Sequence, residues 1–141
     1  MKMSNKPKIV IDTNVLLVSI APQSSYHWLY QSILKNEIEV YVTNEMLTEY
    51  MEIIAKKLCE ATANFVLRTL LELENVHPTV VYFHTNFIIN DPDDNKFVDC
   101  AFACGADFLI SNDKHFRILK TVEFPVIPIV TFEEFEAVFK G

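Results

Sequence analysis

Carboxylates are the residues of this sequence whose types and positions could do chemistry. Asp12 ends the β-branched run Lys8–Ile11, and Asp113 follows the apolar run Phe108–Ile110. Asp91, Asp93 and Asp94 crowd around Pro92, just ahead of an apolar segment. Glu49 falls in the second turn of a stretch with helical periodicity. Asp12, Asp94 and Asp113 thus each stand where one element gives way to another. Acids gathered in one place repel each other, which costs stability unless a cation joins them. Three or four convergent carboxylates suit hard cations that take oxygen ligands, Mg²⁺ or Mn²⁺. Taken singly they are unremarkable. Asp12 alone reads as a cap or turn residue, and Glu45, Glu49 and Glu52 share a spacing typical of a solvated helix face.

Other chemistries fail on the residues present. Asp91-x-Asp93-x-Asn95 copies the first half of a calcium loop, but Lys96 replaces the required glycine and Phe102 the closing glutamate. An aspartyl-nucleophile phosphatase would need a second Asp two places after Asp12, where Asn14 stands. A receiver-like signalling domain would need an acid pair after the first strand and a phosphoacceptor Asp ending the third, and neither is found. There is no plausible serine or histidine triad, no Gly-rich phosphate loop and no HExxH.

The elements that must position these acids can be read from periodicity. Residues 1–7 form a polar tail, and Lys8–Ile11 a buried strand that breaks off at Asp12-Thr13-Asn14. Residues 21–25 make a loop with Ser24 or Ser25 as helix cap, and Trp28, Leu29, Ile33 and Leu34 give the next helix its apolar face. Glu39–Val42 is the second strand. Thr43 caps a helix over Asn44–Leu58 with Met46, Leu47, Tyr50, Ile53 and Ile54 inward. A further helix over 60–73 buries Phe65, Val66, Leu70 and Leu71, and Thr79–Phe83 makes a third strand. After the acid-rich stretch Phe97, Ala101 and Cys104 share a helical face that Gly105 terminates. Phe108–Ile110 is a short strand, Asp113–Leu119 a short helix, and Val126–Val130 the last strand. Thr131-Phe132-Glu133-Glu134 is a capping box that opens a terminal helix through Phe139. Strands alternating with helices give an α/β domain with a mostly parallel sheet covered on both faces. Open sheets of this kind bind ligands at the carboxyl ends of their strands, where Asp12 and Asp113 fall.

With 141 residues, half of them hydrophobic and only two glycines, residues 8–141 read as a single domain with a substantial core. Apolar runs are short, so no membrane span is expected, and MKMSNKPK lacks the apolar stretch of a signal peptide. The odd number of cysteines, with Cys100 and Cys104 one helical turn apart among apolar residues, suggests reduced core thiols in a cytoplasmic protein. A net charge of −7 argues against broad nucleic-acid binding by the whole surface. It leaves room for a nuclease whose acids are neutralised by bound ions. Lys96, Lys114, His115, Arg117 and Lys120 supply basic residues near the acidic stretch.

Four segments, in order, carry a family resemblance: Ile11-Asp12-Thr13-Asn14-Val15, then Thr43 through Glu49 (TNEMLTE), then Asp91 through Phe97 (DPDDNKF), then Ala106 through Phe116 (ADFLISNDKHF). Together they resemble PIN domains, in particular the small bacterial PIN proteins grouped with VapC-type toxins. The resemblance implies an α/β/α sandwich around a short parallel sheet, with an acidic quartet at Asp12, Glu49, Asp94 and Asp113. Similar family members often carry a glutamate where Asp99 stands, so Asp99 is a secondary site residue, one carbon shorter. Asn14 and Ser111 match supporting positions that hydrogen-bond to the site. The implied activity is Mg²⁺- or Mn²⁺-dependent hydrolysis of single-stranded RNA, with Lys96 or Lys114 contacting flanking phosphates. The implied partner is a small antitoxin protein; a second copy of the chain is a further candidate, for which the sequence marks no face. A catalytically silent PIN-like interaction or regulatory module is the alternative.

Overall fold

A computed structural model describes residues 6–82, 95–114, 116 and 128–141 of the chain. Short runs of β-branched and aromatic residues make the strands, because each is too short to form a stable helix and too apolar to remain in water. They are β1 (Lys8–Ile11), β2 (Glu39–Val42), β3 (Val76–Pro78), β4 (Phe108–Ile110) and β5 (Ile129–Val130). All pair in parallel, in the order β3-β2-β1-β4-β5. The central strand is buried on both faces: Ile9 and Val10 are fully inaccessible, and so are Leu109 and Ile110 beside them. A near-continuous apolar run is what a doubly covered parallel strand requires.

Among the described residues there are six helices: α1 (Thr13–Ser19), α2 (His27–Leu34), α3 (Asn44–Lys57), α4 (Glu60–Glu72), α5 (Asn95–Cys104) and α6 (Phe132–Lys140). Right-handed crossovers put α1 to α4 on one face of the sheet, since β1, β2 and β3 progress toward one edge. The return from β3 to β4 reverses direction and carries α5 to the other face, where it packs on β1, β2 and β4. Trp28 of α2 ties α6 to the first layer, lying between 5.3 and 6.1 Å from the rings of Phe132, Phe135 and Phe139. The result is the α/β/α sandwich.

Local signals explain most boundaries. Thr43 accepts from the Met46 amide at 3.2 Å, and Thr131 and Glu134 close a capping box at α6. Gly105 sits at φ +65°, and the Ala106 amide reaches back to the Ala101 carbonyl at 3.0 Å. That is the Schellman stop, and it needs the left-handed residue glycine supplies. Cys59, Cys100 and Cys104 are all free thiols.

Several expectations are corrected. The apolar run after Asp12, assigned to no element by its periodicity, is a helix, α1, with Asp12 at its N-cap position but no side-chain capping bond. Helix α2 begins after Tyr26, and Ser24 only accepts from the Tyr26 amide at 3.0 Å, in a turn. The third strand lies earlier than expected, at Val76–Pro78, because register with β2 pairs Val40 with Val76 and Val42 with Pro78. Phe65 and Leu71, expected inside, are 65 % and 60 % exposed on α4, and Leu34 is also exposed. The core face of α4 is instead Ala63, Val66, Leu67 and Leu70. The expected helix over Asp113–Leu119 and the last strand from Val126 lie partly outside the described residues.

Candidate active site

The sheet reverses its winding between β1 and β4, and the carboxyl ends of those two strands carry Asp12 and the Ser111-Asn112-Asp113 segment. This is the crevice in which open parallel sheets bind ligands. Asp12 is held there by the ladder itself: its amide donates to the Ile110 carbonyl at 3.0 Å. The fully buried Tyr50 of α3 donates its hydroxyl to the Ile11 carbonyl at 2.5 Å, fixing the last residue of β1.

The Asp12 side chain is only 5 % exposed. Ser111 Oγ donates to its Oδ2 at 2.9 Å and itself accepts from the Asp113 amide at 3.0 Å, so one hydroxyl joins both aspartate positions. Burial pushes the Asp12 carboxyl up to about 6. The Ser111 hydroxyl and the Thr13 amide counter this, while the charges of Asp113 and Glu49 push it further up. Desolvation and like charge thus outweigh two hydrogen bonds. Asp113 and Glu49, far from Asp12 in sequence, thus act on it electrostatically.

Glu49 parts company with the other glutamates of its helix. Glu45 and Glu52 are exposed, whereas Glu49 is part-buried and both of its carboxylate oxygens are engaged. Thr13 Oγ1 donates to Oε2, and the Lys96 ammonium lies 2.8 Å from Oε1. Lys96 retains 14 % side-chain exposure, so its charge is spent at the site rather than offered to solvent. Asp99 is 4 % exposed on α5, and its charge acts on neighbouring Cys100. Asn14 and Lys114 are exposed. Asp91, Asp93, Asp94, His115, Arg117 and Lys120 lie outside the described residues.

Beside Asp12 and Asp113 opens a cleft of about 390 Å³, within the size range of small-molecule sites. Asn14, Val15 and Val18 of α1 form one wall, and Tyr26 and Asn112 another. The residues sequence reasoning missed are Thr13, which holds Glu49, and Tyr26, far from every acidic segment. Thr13 follows directly on a strand-ending aspartate, a signal that was available; Tyr26 has none.

Among the described residues no group of three carboxylate, histidine or cysteine side chains is closed to metal-ligand spacing. The donors still fit a hard cation. They are all oxygens, and a carboxylate raised chiefly by burial, and further by two neighbouring charges, is under-compensated in just the way a divalent ion relieves.

Solved structures share this fold at low identity. VapBC from Salmonella typhimurium, solved bound to DNA, is 20 % identical, with a TM-score of 0.60 over 89 % of this chain and 98 % of that one. VapBC2 from Rickettsia felis, bound to a promoter fragment, is 15 % identical, with a TM-score of 0.59 over 88 % and 98 %. VapC20 of Mycobacterium tuberculosis, described as a toxin that cleaves the sarcin-ricin loop, is 13 % identical, with a TM-score of 0.57 over 82 % and 97 %. No curated protein matches the sequence. A PIN domain model does match, over residues 8–115, and the chain belongs to the PIN domain family.

Proposed function

We propose that this protein is a Mg²⁺- or Mn²⁺-dependent endoribonuclease acting on single-stranded RNA, the toxin of a toxin–antitoxin pair. The observation that carries the reading is the Asp12 carboxylate, buried at the switch point of the sheet and joined through the Ser111 hydroxyl to the Asp113 backbone. Solved relatives named as an RNA-loop-cleaving toxin and as VapBC complexes on DNA support the substrate class and the pairing with an antitoxin.

On this reading Asp12, Glu49, Asp94 and Asp113 hold the ion, with Asp99 behind them. A bound divalent ion would lower the pKa of a water and stabilise the leaving oxygen of an in-line displacement. The chain's own part is positioning. Ser111 fixes the Asp12 carboxylate and the Asp113 backbone together, and Thr13 holds the Glu49 rotamer. Asn14, at the cleft wall, supports the site, and the exposed Lys114 contacts a flanking phosphate. Lys96 was expected at phosphate as well; its place on Glu49 makes it a counterion to the carboxylate first. The exposed Phe65 and Leu71 of α4 are the apolar residues a second copy of the chain would cover.

The test is hydrolysis of single-stranded RNA with and without Mn²⁺, paired with thermal melts in the same buffers. Wild type should cleave only with metal and melt higher in its presence, since a ligand that binds only the native state stabilises it. Asp113→Asn should fold and lose activity. No cleavage and no shift in midpoint at millimolar Mn²⁺ would leave the silent PIN-like interaction module as the better reading.

A further inference from the structure

The cleft is chemically two-sided in a way that holding a metal does not require. Asn14, Val15 and Val18 share one side of α1, and Val18 is 43 % exposed although it lines a cleft that begins in carboxylates. An exposed valine beside charged groups gains nothing from water, and its burial by a ligand would be favourable. Across from it Tyr26 is held with unusual firmness for a part-exposed side chain. Its ring stacks on Phe132 at 3.6 Å between centroids and 9° between planes. Its hydroxyl accepts from Asn112 Nδ2 at 2.7 Å and donates to Glu133 at 3.4 Å. Asn112 is fixed in turn by the Phe132 amide, which donates to Oδ1 at 3.0 Å. An exposed amide locked in orientation can present its remaining donor and acceptor to a base edge.

From Asp12 to Val18 the α1 wall advances about 9 Å at the helical rise of 1.5 Å per residue. That is the reach of a ribose and its base from their phosphate. We propose that Val15, Val18, Tyr26 and Asn112 form a nucleobase subsite, which receives an unpaired base adjoining the phosphate held at the acidic end. The inference rests on the nuclease reading above and names a part of its substrate: a nucleotide with an extruded base, in place of a backbone gripped by charge alone. Single-stranded nucleic acids are commonly held by aromatic side chains in this manner, because every base has a face to stack.

The experiment measures binding of an eight-nucleotide single-stranded RNA by fluorescence anisotropy, with Ca²⁺ as the cation and the oligonucleotide checked for integrity on a gel. A series in which one position at a time lacks its base is compared with the complete oligomer. Loss of the base at one position should weaken binding on the order of 5- to 150-fold, the cost of a lost base stack. Tyr26→Ala should bring that ratio close to one, and Val18→Asn should lower it. Tyr26→Ala also loses the stack on Phe132, so Val18→Asn, at an exposed position, is the decisive variant if the first melts early. Equal affinity for every oligomer in wild type, or a ratio that Val18→Asn leaves unchanged, overturns the subsite. Metal-dependent cleavage is measured separately. Cleavage without base dependence removes the subsite and leaves the nuclease; base-dependent binding without cleavage removes the nuclease reading and leaves the subsite.

Discussion

Replacing Asp12 by asparagine should make the metal-free protein more stable, and the gain should depend on pH. The Asp12 carboxyl is lifted from 3.8 to about 6, chiefly by burial and further by Asp113 and Glu49. The native state therefore binds a proton more tightly than the unfolded chain. For a raised carboxyl the sign is a penalty: absent below the unfolded value, it grows as pH rises through 4 to 6 and is fully present above the folded value. Two units correspond to roughly 3 kcal/mol. Asparagine carries no charge and escapes this, but its NH2 replaces an oxygen that accepts from the Ser111 hydroxyl or the Thr13 amide, which costs about 1–3 kcal/mol. That second cost is independent of pH. The net gain at pH 7 is thus anywhere from about zero to 2 kcal/mol, while the difference between variant and wild type should change by roughly 2 to 2.5 kcal/mol between pH 4 and pH 7. Urea melts of both proteins in EDTA at those two pH values measure it. A difference that stays constant across the range would refute the claim that Asp12 is ionised against its surroundings.

The three glutamates of α3 should respond differently. Glu49→Gln is expected to lower turnover on the order of 10²-fold at saturating Mn²⁺, whereas Glu45→Gln and Glu52→Gln, both exposed, should change it little; equal rates would return Glu49 to the solvated face. Tyr50→Phe removes the hydroxyl that holds the Ile11 carbonyl, and chemical denaturation should show a loss of about 1–3 kcal/mol from the orphaned acceptor. Thr131→Ala breaks the capping box of α6 and should cost about 1 kcal/mol in the same assay, with no effect on metal binding.

The sequence made the scaffold more legible than the site. Glu39–Val42 and the Gly105 stop are local signals, an alternating apolar run and a residue suited to positive φ, and both stand where they were read. The third strand moved from Thr79–Phe83 to Val76–Pro78 because two adjacent stretches are both β-prone, and only pairing with Val40 and Val42 chooses between them. Helix α4 misled in the same way. Phe65 and Leu71 are as apolar as Val66 and Leu70, and the packing partner, α3, decides which of them is covered. At the site, the types and positions of Asp12, Glu49 and Asp113 were readable, but not that Thr13 and Lys96 take one Glu49 oxygen each. Such a pairing is a fact about two rotamers, and no periodicity encodes it. Tyr26 was hidden for a different reason: its place in the cleft follows from its stack on Phe132, a residue from the far end of the chain.

That separation along the chain has a consequence for the protein's own synthesis. Asp12 and Ser111 meet across 99 positions, and β1 is hydrogen-bonded on one side to β2 and on the other to β4. A chain emerging from the ribosome at 5–20 residues per second presents Asp12 roughly 5–20 s before its hydroxyl partner and Asp113 exist. During that interval β1 and β2 can pair, but the crevice has only one bank. On the proposed reading, a nascent chain interrupted anywhere before residue 113 carries no assembled cutting site. On that same reading, each copy becomes able to cut only once its own translation is nearly complete.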